Sequence, residues 1–381
     1  MLAYAQYYND ARIKMYVNTL LENGIPVDIV CLYDEYSRST VIGNVPLTVT
    51  FVQNKYQGES AFRYLISYCA FFLKAWFLVT INYMRNSYSV IHVHNQPDFL
   101  VFCALIPKLF GATIILDMHD IMIAAVLTKF SGTKKSLLYR LTKFQTWVSV
   151  KVCDILICAD HSQREFLSEN HIVHYHTVVM MNLPDKALFR RRNAVPKNPV
   201  IRFIYHGTIS HRLGLDLAIL AFEKASHSIP LTFTIIGNGE NKKELMRSCE
   251  ENGILHSLVE FHDFVPVEEL QRVVERYDIG IVANRRTLIG ERCMLPVKMM
   301  EYLAIGLPVV VPRLQVIERY FSDTMVSFYE PENIDDMAKR IIELAEDSSL
   351  RQRQVHNAGE FFKKYAWADQ QHEYVRIING I

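Results

Sequence analysis

Two residues of opposite charge, Lys298 and Glu301, sit three apart just after Pro296 in the segment LPVKMMEYLAIGLPVVV. Proline suits the first position of a helix, where its missing N–H costs nothing. The pair therefore shares one face of an opening turn. A cation beside a helix N-terminus makes an anion site, and a carboxylate alongside can accept two sugar hydroxyls. Taken alone, such a pair is more often a solvated i,i+3 contact, so its context has to decide. Histidines supply a second set. His119 lies in DMHD, directly after an apolar run, where Asp117 or Asp120 could orient its ring; a buried structural histidine is the alternative. His92 and His94 alternate along a strand and point the same way. They invite a metal, but no third ligand has suitable spacing, which favours hydrogen-bonded packing beside Asn95 and Asp98.

These groups need a frame. The dominant rhythm is helix, glycine, short apolar strand, with Gly24, Gly111, Gly253 and Gly306 placed to stop helices in the left-handed conformation. The strands are continuous apolar runs, as a sheet covered on both faces requires. In the first half they read at Val27–Leu32, Leu47–Phe51, Val90–Val93, Thr113–Leu116, Ile155–Ile157 and Val178–Met180. In the second they read at Ile201–Tyr205, Phe233–Ile236, Val259–Phe261, Ile279–Val282, Val309–Val311 and Val326–Phe328. Such alternation specifies an α/β protein of two Rossmann-like, doubly wound parallel-sheet domains facing a central cleft. The expected division is a domain over 1–185, a Pro- and Arg-rich linker over 186–199, a domain over 200–350, and helices over 351–381 crossing back to the first domain.

Composition removes several function classes. At 381 residues the chain is long for one core. A formal net charge of +1 argues against a nucleic-acid partner. Seven scattered cysteines without a C-x-x-C pair fit a reducing compartment, and MLAYAQYYNDARIK lacks the pattern of a signal peptide. Leu65 to Tyr83, LISYCAFFLKAWFLVTINY, approach the length of a membrane span, but Lys74 sits in the middle. A core helix is the first expectation there, ahead of membrane-surface contact through 60–85 and of a true span.

Several segments together resemble the retaining family-four glycosyltransferases, the "glycosyl transferases group 1" type with the GT-B fold. LPVKMMEYLAIGLPVV resembles their signature helix, and YYNDARIKMYVNTLLENGIPVDIVCL their opening. IHVHNQPDFLVFCALIPKLFGATIILDMHD, YHGTISHRLGLDLAILAF and IIGNGE resemble further blocks, so the likeness extends over nearly the whole chain. It implies that Arg212 and Lys298 hold the diphosphate of a nucleotide-sugar donor and that Glu301 binds its ribose. Gly207, with His206 and Thr208 beside it, would let the backbone approach the phosphates. Gly237 and Gly239 would serve the same site or merely turn the chain. Phe264 and Val265, in the segment from His262, fall where the family reads the base through backbone groups. His119 would lie near the transferred sugar. Tyr7, Asp10, Arg12, His94, Asn95 and Asp120 would lie on the acceptor side. A surface arginine is the alternative for Arg212. No metal and no cofactor is expected, because two cations and helix N-termini can meet the leaving charge.

The implied function is transfer of a sugar, with retention, to a polysaccharide or lipid-linked acceptor. The resemblance further implies a cytoplasmic enzyme, peripheral at the inner face of the cell membrane. One departure stands out: the first glutamate of the family pattern falls on Cys293, and Glu291 could replace it only if the loop bends. A nucleotide-sugar epimerase or hydrolase, and a non-catalytic partner of the same fold, are the rivals. An NAD-dependent oxidoreductase is disfavoured, since no G-x-G-x-x-G follows an early strand. Met1 to Tyr4 leave only a stub where the family has a first strand. That strand is therefore expected to be truncated, or the recorded start to lie downstream of the true one.

Overall fold

The computed structural model describes residues 1–33, 45–56, 58, 61–129, 136–192 and 200–380. They form two compact units, Met1–Asn182 with Ala368–Ile381, and Leu183–Trp367.

The first unit is built on strands β1 (Leu2–Gln6), β2 (Val27–Leu32), β3 (Leu47–Phe51), β4 (Val90–His94), β5 (Thr113–Met118), β6 (Ile155–Cys158) and β7 (Thr177–Val179). Its helices include α1 (Ala11–Glu22), α2 (Ala61–Asn86), α3 (Leu105–Leu109), α4 (Met122–Lys129), α5 (Leu137–Val152) and α6 (His161–Glu169). All strand pairs are parallel, in the order β3-β2-β1-β4-β5-β6-β7. The supposed stub at the N-terminus is thus a central strand. Leu2 pairs with Val30 on one side and Val93 on the other, and it is wholly buried. Four apolar or aromatic residues suffice because both neighbours supply the hydrogen-bonding partners and both faces are already covered.

The second unit carries β8 (Ile201–His206), β9 (Leu231–Ile236), β10 (Val259–His262), β11 (Ile279–Ile281), β12 (Val309–Pro312) and β13 (Ser327–Tyr329), again parallel, in the order β10-β9-β8-β11-β12-β13. The helices α7 (Leu215–Ser226), α8 (Lys242–Glu251), α9 (Val267–Val274) and α10 (Leu288–Arg292) follow these strands in turn. They continue with α11 (Val297–Ile305), α12 (Gln315–Glu318), α13 (Ile334–Glu346) and α14 (Ser348–Lys364). Phe203, Phe222 and Phe233 centre the core, with the rings of Phe222 and Phe233 stacked 4.1 Å apart. Each expected strand has its counterpart within two residues of its expected ends. Gly306 caps α11 at φ +92°, donating its N–H to Tyr302 and Leu303, and Gly24, Gly111 and Gly253 also have positive φ.

The last helix, α15 (Trp367–Ile378), groups with the first unit from Ala368 onward. The return begins later than position 351, however. Helix α14 stays with the second unit, where it packs on α11 and α13. The expected linker begins at 186, but its residues 193–199 lie outside those described.

In both sheets the winding direction reverses beside a central strand, between β1 and β4 and between β8 and β11. At such a switch point adjacent loops turn to opposite faces and leave a crevice at the carboxyl ends of the strands. The polar residues singled out in the sequence follow these strands. Leu2→Ala should destabilise the fold by about 2–5 kcal/mol, the cost of emptying a fully buried leucine site. Chemical unfolding would measure it, and an unchanged midpoint would contradict a structural role for β1.

Candidate active site

Beyond β8 in the second unit, the chain turns sharply at Gly207, where φ is +117°. This loop packs against backbone. A Cβ on Gly237 would lie 1.9 Å from the Gly207 carbonyl oxygen, and one on Gly239 2.0 Å from that of Ile209. The structure therefore gives both glycines a steric duty: they let the loops after β8 and β9 touch. Thr208 is exposed at the turn, and its carbonyl accepts from the Tyr205 hydroxyl.

Lys298, in the first turn of α11, is half-buried with its Nζ 3.7 Å from the centre of the Tyr205 ring. Burial pushes its pKa down to about 7; Glu301 opposes that shift and the nearby charge of Arg212 adds to it. Glu301 is also engaged. Its Oε2 lies 2.7 Å from His206 Nε2. The Tyr302 hydroxyl accepts from the backbone N–H of His206 and lies 2.9 Å from its Nδ1. The single hydroxyl proton is then free to point at Nδ1, which leaves the ring proton on Nε2, donated to Glu301. The pair is thus no simple solvated i,i+3 contact: Glu301 belongs to a polar network at the end of β8 and Lys298 lies over the Tyr205 ring.

Arg212 lies in the short 3-10 turn His211–Leu213 and is exposed, with Nη1 3.2 Å from Met294 Sδ. Its backbone is held by Arg285, which follows β11. The Arg285 N–H donates to the Arg212 carbonyl at 3.1 Å, its Nε donates to the His211 carbonyl at 3.0 Å, and its guanidinium pairs with Asp216. The sequence reading missed Arg285 and Tyr205, though both stand at strand ends facing residues it did name. Phe264 is exposed and Val265 half-buried after β10. Lys242 ties that loop down by donating to the His262 carbonyl at 2.9 Å and to Asp263 at 2.7 Å.

Cys293, which stands at the position of the family's first glutamate, is buried. Glu291 does not stand in for it. One of its oxygens pairs with Arg286 at 2.9 Å and the other accepts from the Gln315 N–H at 2.8 Å.

In the first unit, the carboxyl edge is organised by Asp117, which is wholly buried at the end of β5. Arg12 donates to both of its oxygens, Nε at 2.7 Å and Nη2 at 2.8 Å. Burial alone would raise the Asp117 pKa, but Arg12 and the hydrogen bond from His94 hold it well below the usual range. Arg12, expected to face an acceptor, is instead a buried clamp in α1 whose Nη1 also reaches the Met180 carbonyl. His94 is buried as well, 3.1 Å from Asp117, and its ring stacks at 4.2 Å on that of His92. His92 in turn meets the Tyr374 hydroxyl of α15 at 2.8 Å.

Folding thus supplies the third metal-competent group that sequence spacing did not: ligand atoms of His92, His94 and Asp117 lie within 4.8 Å of one another. Both oxygens of Asp117 already serve Arg12, so a second cation there would leave surplus positive charge in a dry site. The cluster reads as hydrogen-bonded packing.

His119 sits beyond β5 with 19% of its side chain exposed, and its Nδ1 is 4.0 Å from Asp117, too far for a hydrogen bond. Its loop is set by Asn95, whose Oδ1 accepts from the backbone N–H of His119 and of Asp120 at 3.1 and 3.2 Å. Asn95 also donates to Asp98, which accepts from Thr146. Asp120 is exposed, Tyr7 is buried, and Asp10 caps α1 by accepting from the Ile13 N–H.

Comparison with known proteins fits this arrangement. Residues 185–361 match the family described as glycosyl transferases group 1. The amylovoran biosynthesis glycosyltransferase AmsK of Erwinia amylovora is 27% identical over 150 residues, which are 39% of this chain and 36% of that protein. The chain thus matches about a third of its curated relative's length. Sucrose-phosphate synthase from Thermosynechococcus elongatus shares the fold with a TM-score of 0.78 at 11% identity, covering 100% of this chain and 98% of that one. Anabaena HepE, solved with UDP and glucose, does so with a TM-score of 0.72 at 13% identity, covering 100% and 99%. At these identities the solved structures establish the fold alone: two parallel-sheet α/β domains of the GT-B type.

Burial holds the imidazoles of His92 and His94 neutral, lowering the pKa of each. In the unfolded chain they protonate near about 6.5. The unfolded state then binds the extra protons, so stability is present above that value and is lost as pH falls below it. His92→Gln should flatten this decline in urea unfolding, and an identical pH slope would contradict it.

Proposed function

We propose that this chain is a retaining glycosyltransferase that takes a sugar from a nucleoside diphosphate donor and gives it to a growing polysaccharide or lipid-linked acceptor. The observation that carries this reading is the grouping of Lys298, Arg212 and Glu301 at the ends of β8 and α11, in the segment that matches group 1 glycosyl transferases. UDP bound to the structural relative HepE, and the amylovoran-biosynthesis glycosyltransferase AmsK as a relative, support the donor class and a biosynthetic role.

In this mechanism the bond from the anomeric carbon to the diphosphate breaks while the acceptor hydroxyl attacks from the same face. Lys298 and Arg212 meet the charge that builds on the departing diphosphate, a role often filled by a divalent ion. The diphosphate oxygen takes the acceptor's proton, since no carboxylate is assigned as base. Glu301, oriented by His206, accepts hydroxyls of the ribose. The loop from His262 to Val265, tied down by Lys242, meets the base. In the first unit, His119 is assigned to the transferred sugar, and the neighbouring Asn95 and Asp120 to the acceptor side. We place the enzyme in the cytoplasm, peripheral at the inner face of the cell membrane, where it would meet a lipid-linked acceptor confined to the bilayer.

The buried thiol at Cys293 favours a second reading, a non-catalytic partner with the same fold. A panel of nucleotide sugars with acceptor separates the readings: transfer supports the transferase, hydrolysed or isomerised donor without transfer an epimerase or hydrolase, and binding without turnover the partner.

Lys298→Ala should abolish turnover while leaving the melting temperature nearly unchanged. Because Lys298 acts as a cation with a pKa near about 7 in the free protein, kcat/KM should fall as pH rises through that value. Lys298→Arg should remove this limb; full activity of Lys298→Ala would remove the phosphate-site assignment. Turnover should also survive a chelator, and loss that magnesium restores would overturn the metal-independent mechanism.

A further inference from the structure

Helix α2 is reversed in polarity for a helix at a protein surface. Its buried stripe is Phe71, Ala75 and Val79, which packs on the sheet. At about 100° per residue, Ile66, Leu73, Phe77 and Met84 point within about 20° of one direction, opposite that stripe. All four are exposed, Leu73 by 63% and Met84 by 76%. A solvated helix carries polar residues there. The charged residues stand instead to one side, Arg63, Lys74 and Arg85 falling within about 40° of each other.

Helix α5 repeats the arrangement. Its inner face is polar: Thr146 donates to Asp98, and Tyr139 to Asn170. Its outer face carries Leu137, Leu141 and Phe144, 71%, 56% and 62% exposed, with Trp147 beside them. Arg140, Lys143 and Lys151 again lie to one side.

The two helices belong to one layer, since both pack on the 3-10 segment Asp98–Ala104 that follows β4. Exposed Leu109 and Phe110, at the end of α3, extend the same apolar surface to the last turn of α2, where Tyr83 donates to the Phe110 carbonyl. Helices α2 to α5 contain no aspartate or glutamate, although the whole chain is nearly neutral.

We propose that α2, the end of α3 and α5 form a single docking surface that lies flat on an anionic lipid bilayer. The inference deepens the peripheral placement proposed above and rests on it. Apolar side chains enter the acyl boundary while the flanking lysines and arginines reach the acidic headgroups. A second copy of this chain fits less well, because self-pairing would oppose two basic faces. A transmembrane course for α2, long and apolar enough in composition, would strip Phe71, Ala75 and Val79 from the sheet and break the bond between Tyr4 and Ser67.

The test is sedimentation of the full chain with vesicles of phosphatidylcholine alone or mixed with phosphatidylglycerol. Binding should require phosphatidylglycerol, weaken with salt, and be reversed by alkaline carbonate. The pairs Leu73→Ser with Phe77→Ser and Leu141→Ser with Phe144→Ser should each weaken it on the order of tenfold or more, and Arg140→Gln with Lys143→Gln on the order of tenfold. All three should keep the wild-type melting temperature and the wild-type binding of UDP or GDP. Several results would overturn the proposal: no binding, binding that only one helix's variants affect, retention after carbonate, or a dimer in solution that the same variants dissociate. Nucleotide binding is scored apart from vesicles, so failure of the surface leaves the transferase reading standing, and the converse.

Discussion

Asp117 has no contact with solvent, and the two parallel hydrogen bonds from Arg12 are what make a charge tolerable there. Much of the first unit hangs on that pair. It joins α1 to β5, and through the second arm of Arg12 it holds the chain at Met180. His94 completes the shell of Asp117, His92 stacks on His94, and Tyr374 closes the row from the last helix. Together these contacts fix the sheet edge where Asn95 sets the loop of His119.

The second unit applies the same principle to a more open site. Its polar side chains also gather where strands end, because the strand interiors are covered by helices and can hold only apolar residues. Here the charges are not fully matched. Lys298 has Tyr205 beneath it and Glu301 on its own helix face, yet burial and Arg212 work against its proton. A cationic site left short of negative charge is prepared to gain from an anion, which is the part we propose for the donor diphosphate. Arg285 and the glycines at 237 and 239 contribute by holding the loops that carry these groups.

The outward helices of the first unit follow a different constraint. Thr146 and Tyr139 point inward with their hydrogen bonds satisfied, while Leu137, Leu141 and Phe144 point outward. Burying polar groups and exposing apolar ones runs against stability in water alone, so this surface is matched to an environment other than water. The exposed pole of α2 has the same character. Its sequence alone could not distinguish a core helix from an interfacial one, because apolar content is common to both and only the direction of the sheet tells them apart.

Much was legible in the chain before folding. Continuous apolar runs, glycines after helices and a repeated alternation specified two parallel sheets, because backbone sterics and two-sided burial act locally. The short sequence LPVKMMEYLAIG placed Lys298 and Glu301 on one helical face for the same reason. Central strand β1 reads in the sequence only as a truncated stub, since five residues carry too little pattern and its identity comes from its neighbours β2 and β4. The partners of Arg12, the burial of Cys293, the engagement of Glu291, the role of Arg285 and the third member of the His92–His94 cluster were decided by the tertiary structure alone. Each depends on groups far apart in sequence, and no local rule of spacing can bring Arg12 to Asp117 or Tyr374 to His92 until the sheet exists to carry them there.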